Sequence, residues 1–163
     1  MFGNTEAIAR AIGDGAAGNG VAVTVCDVAS APDQFDDVDV LIVGGPTHAF
    51  GMSRPGTRQA ARAQGAAGPA EHGVRDWLDE LPRPSRPFIG ACFDTRIRKP
   101  FLFGSAARGI RRRLRRLGFE VVKPMSFTVT DTPGPLAEGE LRRARDWGAS
   151  LVSALAETSG LLR

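Results

Sequence analysis

Apolar residues recur along this chain in two alternating rhythms. Ile8, Ala11 and Ile12 fall at helical spacing behind Asn4 and Thr5, which can cap a helix, so a helix is predicted from Thr5 to Ala17. Gly18-Asn19-Gly20 ends it, and the β-branched Val21, Val23 and Val25 predict a strand running to Asp27. Val38 to Val43 is a nearly continuous apolar run closed by Gly44-Gly45-Pro46, the pattern of a strand buried on both faces of a parallel sheet. Met52 to Gly73, rich in Ala, Gly and Arg, carries too weak a period to predict more than a loop with one poor helix. Val74, Trp77, Leu78 and Leu81 stand at i, i+3, i+4 and i+7 and predict a short amphipathic helix. Phe88 to Phe93 reads as a strand, Gly104 to Leu117 as a helix, and Glu120 to Val129 as a strand interrupted by Pro124, which suits a bulge or an edge. Leu141, Ala144, Trp147, Leu151 and Leu155 outline a final helix.

Helices that alternate with strands require crossover connections, and these build a parallel sheet covered on both faces. The predicted fold is therefore α/β, a doubly wound open parallel sheet, in a single domain over residues 1–163. Such a sheet ordinarily opens on a strand whose end feeds the first ligand-binding turn. Here the helix comes first, so the reading expects a central strand encoded upstream of Met1, ahead of a misplaced start.

Charge changes the picture through its distribution. The net charge is +3, but nine Lys or Arg and no Asp or Glu lie between Arg96 and Arg116, which leaves 12 positive and 18 negative residues elsewhere. An acidic body carrying one basic sector is predicted. Cys26 and Cys92 are far apart with no CxxC or His/Cys cluster beside them, so neither a disulfide framework nor a zinc site is indicated, and reduced thiols in a cytoplasmic protein are expected. No apolar run approaches the roughly 18 residues that span a bilayer. Trp77 and Trp147 lie on apolar helix faces and are expected in the core.

Loops that follow strand C-termini share one edge of an open parallel sheet, so Met1 to Thr5, Gly44 to Ser53 and Ala91 to Arg98 can converge there. The first offers backbone N–H groups with the Asn4 and Thr5 side chains at a helix N-terminus, a setting that stabilises phosphate. GGPTHAFGMS supplies Thr47, His48 and Phe50, and ACFDTRIRK supplies Phe93, Asp94, Thr95 and Arg96. The segment FGNTE resembles the end of the flavodoxin phosphate loop, and GGPTHAFG with ACFDTR resembles that family's two loops beside the flavin ring. The resemblance implies sheet order 2-1-3-4-5 with strand 1 missing or truncated, and FMN as cofactor. Phe2, Gly3, Asn4 and Thr5 would then hold the phosphate; Pro46, Thr47, His48, Ala49, Phe50 and Gly51 form the first ring loop, and Cys92, Phe93, Asp94, Thr95 and Arg96 the second. Phe2 stands where the family prefers a hydroxyl, and the chain has no tyrosine, so ring contact falls to His48, Phe50 or Phe93.

The function this implies is electron transfer to or from a redox partner protein or small electron acceptor. An FMN-dependent NAD(P)H:quinone reductase stands beside it, as PTHAFGMS also resembles that branch, and a flavin-free interaction module is the third reading. Arg96, Arg98 and Lys99 are expected to favour an anionic reduced flavin and raise its potential. Arg111, Arg112, Arg113, Arg115 and Arg116 carry no accompanying aromatic or groove-reading motif for nucleic acid, and an acidic redox partner is the better match. Oligomeric state is not specified by the pattern.

Overall fold

A computed structural model describes residues 2–35, 37–48, 51–67, 72–97 and 104–160, with side chains described up to residue 155. The elements run α1 (Asn4–Ala17), β1 (Val40–His48), β2 (Gly51–Met52), α2 (Pro55–Ala63), α3 (Val74–Glu80), β3 (Ile89–Ile97), α4 (Ala106–Leu117), β4 (Glu120–Val121), β5 (Met125–Val129) and α5 (Glu140–Gly160). β1 and β3 pair in parallel from Val40↔Ile89 to Pro46↔Thr95. The far edge of β3 carries β4 and then β5, also in parallel. Ile89 faces Glu120, an offset of 31, whereas Phe93 faces Met125, an offset of 32, so one extra residue is absorbed between the two short strands. Pro124, which has no N–H to give a ladder, sits in that break, at the edge position its sequence predicted.

Helices cover both faces of the sheet. On one, Trp77, Leu78, Ile110 and Leu114 from α3 and α4 pack with Phe35, Val43, Phe88, Cys92 and Phe119. On the other, Ile8, Ala11 and Ile12 of α1 and Ala144 of α5 close over Phe93 and Phe127, with Trp147 packed alongside. The described chain is thus an α/β layer structure with a mostly parallel, open sheet, as the alternation of periods predicted. Among the described residues no helix is long and apolar enough to cross a membrane.

Two expectations are corrected. Val21 to Asp27 joins no strand ladder among the described residues. Val23 and Val25 lie against α1 at Gly13, and Val21, Val23 and Val25 each remain 40% exposed. A β-branched pattern favours extended backbone, but a ladder also needs a partner strand within hydrogen-bond reach, and β1, which pairs along Val40 to Pro46 with β3 alone, does not take this segment as a second neighbour. The stretch from Met52 to Gly73, in contrast, holds a regular helix, α2, opened by Pro55 at its first position and by Thr57, whose hydroxyl both accepts from the Arg54 N–H and donates to the Arg54 carbonyl.

The α1–α5 contact depends on two glycines. A Cβ on Gly15 would collide with the Arg145 carbonyl, and one on Gly148 with the Ile12 carbonyl, so the helices touch backbone to backbone. Neither obstacle is a side chain that can swing away. Gly15→Ala and Gly148→Ala are each expected to cost about 1–3 kcal/mol or more in urea unfolding, while Gly56→Ala, in α2 where a Cβ meets nothing within 4 Å, costs nothing and adds up to about 1 kcal/mol. Equal stability of all three variants would contradict this packing.

Candidate functional site

At the C-terminal end of the parallel strands, one cleft of about 430 Å³ opens between α1, the ends of β1 and β3, α2 and the 131–133 loop. Its walls include Phe2, Gly3, Asn4, Thr5, Pro46, Thr47, His48, Thr95 and Arg96, so segments far apart in sequence meet at one rim. The volume falls in the roughly 300–1,000 Å³ span of small-molecule sites.

Gly3 creates the entry to α1 by taking φ +82°, a left-handed conformation that costs glycine little, and a Cβ there would meet no atom within 4 Å, so backbone angle alone selects it. The first α1 ladder bond runs from the Ala7 N–H to the Gly3 carbonyl at 2.9 Å. The N–H groups of Asn4, Thr5 and Glu6 therefore have no intrahelical acceptor, and no side chain caps this end. The Asn4 amide donates to the Pro133 carbonyl at 2.6 Å. The Thr5 and Thr95 hydroxyls lie 2.7 Å apart and tie the start of α1 to the end of β3.

Beneath the rim lies a polar cluster. Asp94 is fully buried, and its Oδ2 accepts from the Thr47 hydroxyl at 2.8 Å, the Ser105 hydroxyl at 2.6 Å and the Ala107 N–H at 3.1 Å. The Thr47 oxygen in turn accepts from the Ala106 N–H at 2.9 Å. One carboxylate thus caps α4 and fastens the end of β1 to β3. On the opposite wall, Arg58 is 2% exposed; it reaches Asp76 of α3 at 2.8 Å and the Ser53 carbonyl at 3.3 Å, which seats α2 so that Thr57, Ala60 and Gln64 face the cleft.

Several sequence-predicted positions sit elsewhere than at the cleft surface. The Phe93 ring, expected against a flavin, is 2% exposed and packs edge-on to Phe127 and Trp147, over Gly44, whose missing Cβ makes room for it. Side chains alternate along a strand, so Phe93 and Thr95 share one face of β3 and Cys92 and Asp94 the other, and of the four only Thr95 lines the cleft. Cys92 is buried with its thiol on the Ala107 carbonyl, and burial pushes its pKa up to about 11, which keeps it protonated and inert. Asp94 lies under the cleft rather than in its wall. Gly51 pairs with His48 across the short β1–β2 ladder. Ala49, Phe50, Arg98 and Lys99 fall outside the described residues.

The walls that sequence reasoning missed are Thr57 and Gln64 of α2 and Asp131 to Pro133. The α2 signal was masked by its Ala, Gly and Arg content; Pro133-Gly134-Pro135 announced a turn, though not that its carbonyl would anchor Asn4.

The flavodoxin family model matches residues 1–144. No curated protein matches the chain.

Burial, reinforced by the positive Arg58, holds the His48 imidazole below its usual pKa of 6.5. The His48 side chain has no hydrogen-bond partner among the described residues and is neutral at pH 7. A histidine with a depressed folded pKa binds its proton more readily when unfolded, so its contribution is present above pH ~6.5 and is lost as pH falls toward the folded pKa. His48→Asn is therefore expected to flatten the fall of the melting temperature between about pH 7.5 and pH 5.5 relative to the wild type. Parallel pH profiles for the two proteins would contradict a half-buried, neutral His48.

Proposed function

Because the chain belongs to the flavodoxin family, we propose that its cleft holds FMN non-covalently and that the protein passes electrons to or from a redox partner. The observation that carries this reading is the start of α1, where three N–H groups without helical acceptors open into the same cleft as Thr47, His48 and Arg96. Oriented donors and the positive end of the helix dipole suit a phosphate monoester. FMN, when bound, supplies a ring that accepts electrons singly or as a hydride.

The residues present fit that group. Gly3 opens the turn, the Asn4, Thr5 and Glu6 N–H groups point out of the helix end, and Arg96 adds a fixed positive charge, one of its N–H groups resting on the Gly104 carbonyl at 3.3 Å. Thr47 has its one donor and one of its two lone pairs committed beneath the rim, so it has no O–H left to give a ligand and offers a set backbone instead. Neutral His48 offers one donor and one acceptor nitrogen without adding charge. Asp94 acts through Thr47 and Ser105 as a positioning residue.

The α2 wall favours a second reading. Thr57, Ala60 and Gln64 line the cleft on the side away from α1, a place for a second small substrate in an FMN-dependent NAD(P)H:quinone reductase. Rapid flavin bleaching by NAD(P)H without a protein partner in stopped flow selects the reductase; its absence selects the carrier.

Adding the purified protein to FMN is expected to quench flavin fluorescence to a 1:1 end point, with riboflavin, which lacks the phosphate, bound at least about tenfold more weakly, or 1.4 kcal/mol. Equal affinity for the two flavins, or no quenching, would remove the phosphate-cradle reading.

A further inference from the structure

α4 turns its arginines to one side. At about 100° per residue, Arg108, Arg111, Arg112, Arg115 and Arg116 occupy an arc of about 140°, while Ala107, Ile110 and Leu114 are buried on the opposite side. The five line a shallow surface depression of about 490 Å³. Arg113, next to them in sequence, is paired with Asp79 through two contacts of 2.6 and 3.2 Å. The other five have no carboxylate partner among the described residues, and the Arg111 Nε is buried there without any hydrogen-bond acceptor.

This arrangement works against the helix that carries it. Arg108 and Arg112, Arg111 and Arg115, and Arg112 and Arg116 are like charges at i, i+4, a spacing that destabilises a helix. Arg108 also stands near the positive end of the helix dipole. A face whose repulsion is uncompensated within the described chain, and which holds a desolvated donor, is built for counter-charge from outside. The guanidinium fork selects planar anions, carboxylate above all among protein groups. Among the described residues no aromatic side chain lines the depression, so they provide no stacking platform of the kind a single-stranded nucleic-acid site uses.

Position supplies the other half of the argument. Ser105 caps α4 and is fixed to Asp94 beneath the cleft, and Gly104 lines the cleft itself, where it accepts from Arg96. Arg108 begins the arginine face within a single turn of that lip. We propose that the arginine face of α4 is the docking surface for an acidic protein, the electron-exchanging partner of the neighbouring cleft. The inference rests on the FMN reading for what the partner does, but the docking itself requires only the arginines.

The test uses a fluorescently labelled acidic carrier, a plant-type [2Fe–2S] ferredoxin, titrated with the full chain in both its apo and FMN-loaded forms and read by anisotropy. Binding is expected to weaken steadily with added salt. Arg112→Glu/Arg116→Glu is expected to weaken it at least about tenfold, Arg112→Gln/Arg116→Gln by less, and the control Arg62→Glu/Arg142→Glu, with the same change in net charge, by no more than about twofold. A melting temperature no lower than that of the wild type and an unchanged FMN affinity in these exposed-residue variants keep the comparison one of docking. Equal weakening in the control would reduce the effect to net charge and overturn the proposal, as would no ferredoxin binding, or tighter binding of a labelled oligonucleotide at the same salt. Failure to bind FMN would defeat the cofactor reading while leaving the apo-form anisotropy to decide the docking surface.

Discussion

The Asp94 carboxylate, buried under the C-terminal rim of the sheet, accepts from Thr47 on β1, from Ser105 at the cap of α4 and from the α4 backbone itself. A buried charge is costly unless it is surrounded by donors. Here the donors reach Oδ2 from segments 47 and 11 residues away, Oδ1 having no partner among the described residues, so one carboxylate oxygen fixes the relative height of two strand ends and a helix. The Thr5–Thr95 hydroxyl contact adds the start of α1 to the same rim. With these ties in place the cleft has a stiff floor, and the functional groups above it come from backbone and small side chains rather than from long flexible ones.

The two sides of the cleft are held by different means. On the α1 side, glycines allow the backbone of α1 to lie directly on α5, which fixes the direction in which its first N–H groups point. On the α2 side, a buried guanidinium bridges α2, α3 and the segment after β2, and a short helix of modest propensity is held against the rim by this charge together with the buried Ala61. The electrostatics follow the same division: a helix N-terminus and Arg96 offer positive potential inside, His48 stays neutral, and the α4 arginines that have no carboxylate partner among the described residues extend positive charge outward from the lip.

What was legible in the chain was whatever depended on periodicity. α1, α3, α4 and α5 were readable from apolar spacing, β1 and β3 from buried runs, and the break at Pro124 from its missing N–H. Both strands extend past their predicted ends, β1 through Gly44-Gly45-Pro46 to His48 and β3 to Ile97, because ladder bonds between two neighbours override the turn propensity of a glycine pair. Val21 to Asp27 has the right residues for a strand and no ladder, since pairing is a property of two segments and composition reports on one. In the site, Asn4, Thr5, Thr47, Thr95 and Arg96 were expected at one edge and are found on one cleft. The inward turn of Phe93 and the burial of Asp94 depend on which face of β3 each occupies, and the role of α2 depends on Arg58 finding Asp76, a contact 18 residues away that no local pattern announces.

The account stands on a phosphate-bearing flavin seating at the open end of α1. Its most direct test is the two-dimensional ¹H–¹⁵N spectrum of the protein titrated with FMN. The account predicts the largest amide shifts at Gly3 to Glu6, with further shifts at Thr47, His48, Thr95 and Arg96, while amides along the middle of α5 stay in place. Shifts that leave Gly3 to Glu6 unmoved, or that map to the opposite end of the sheet, would contradict it.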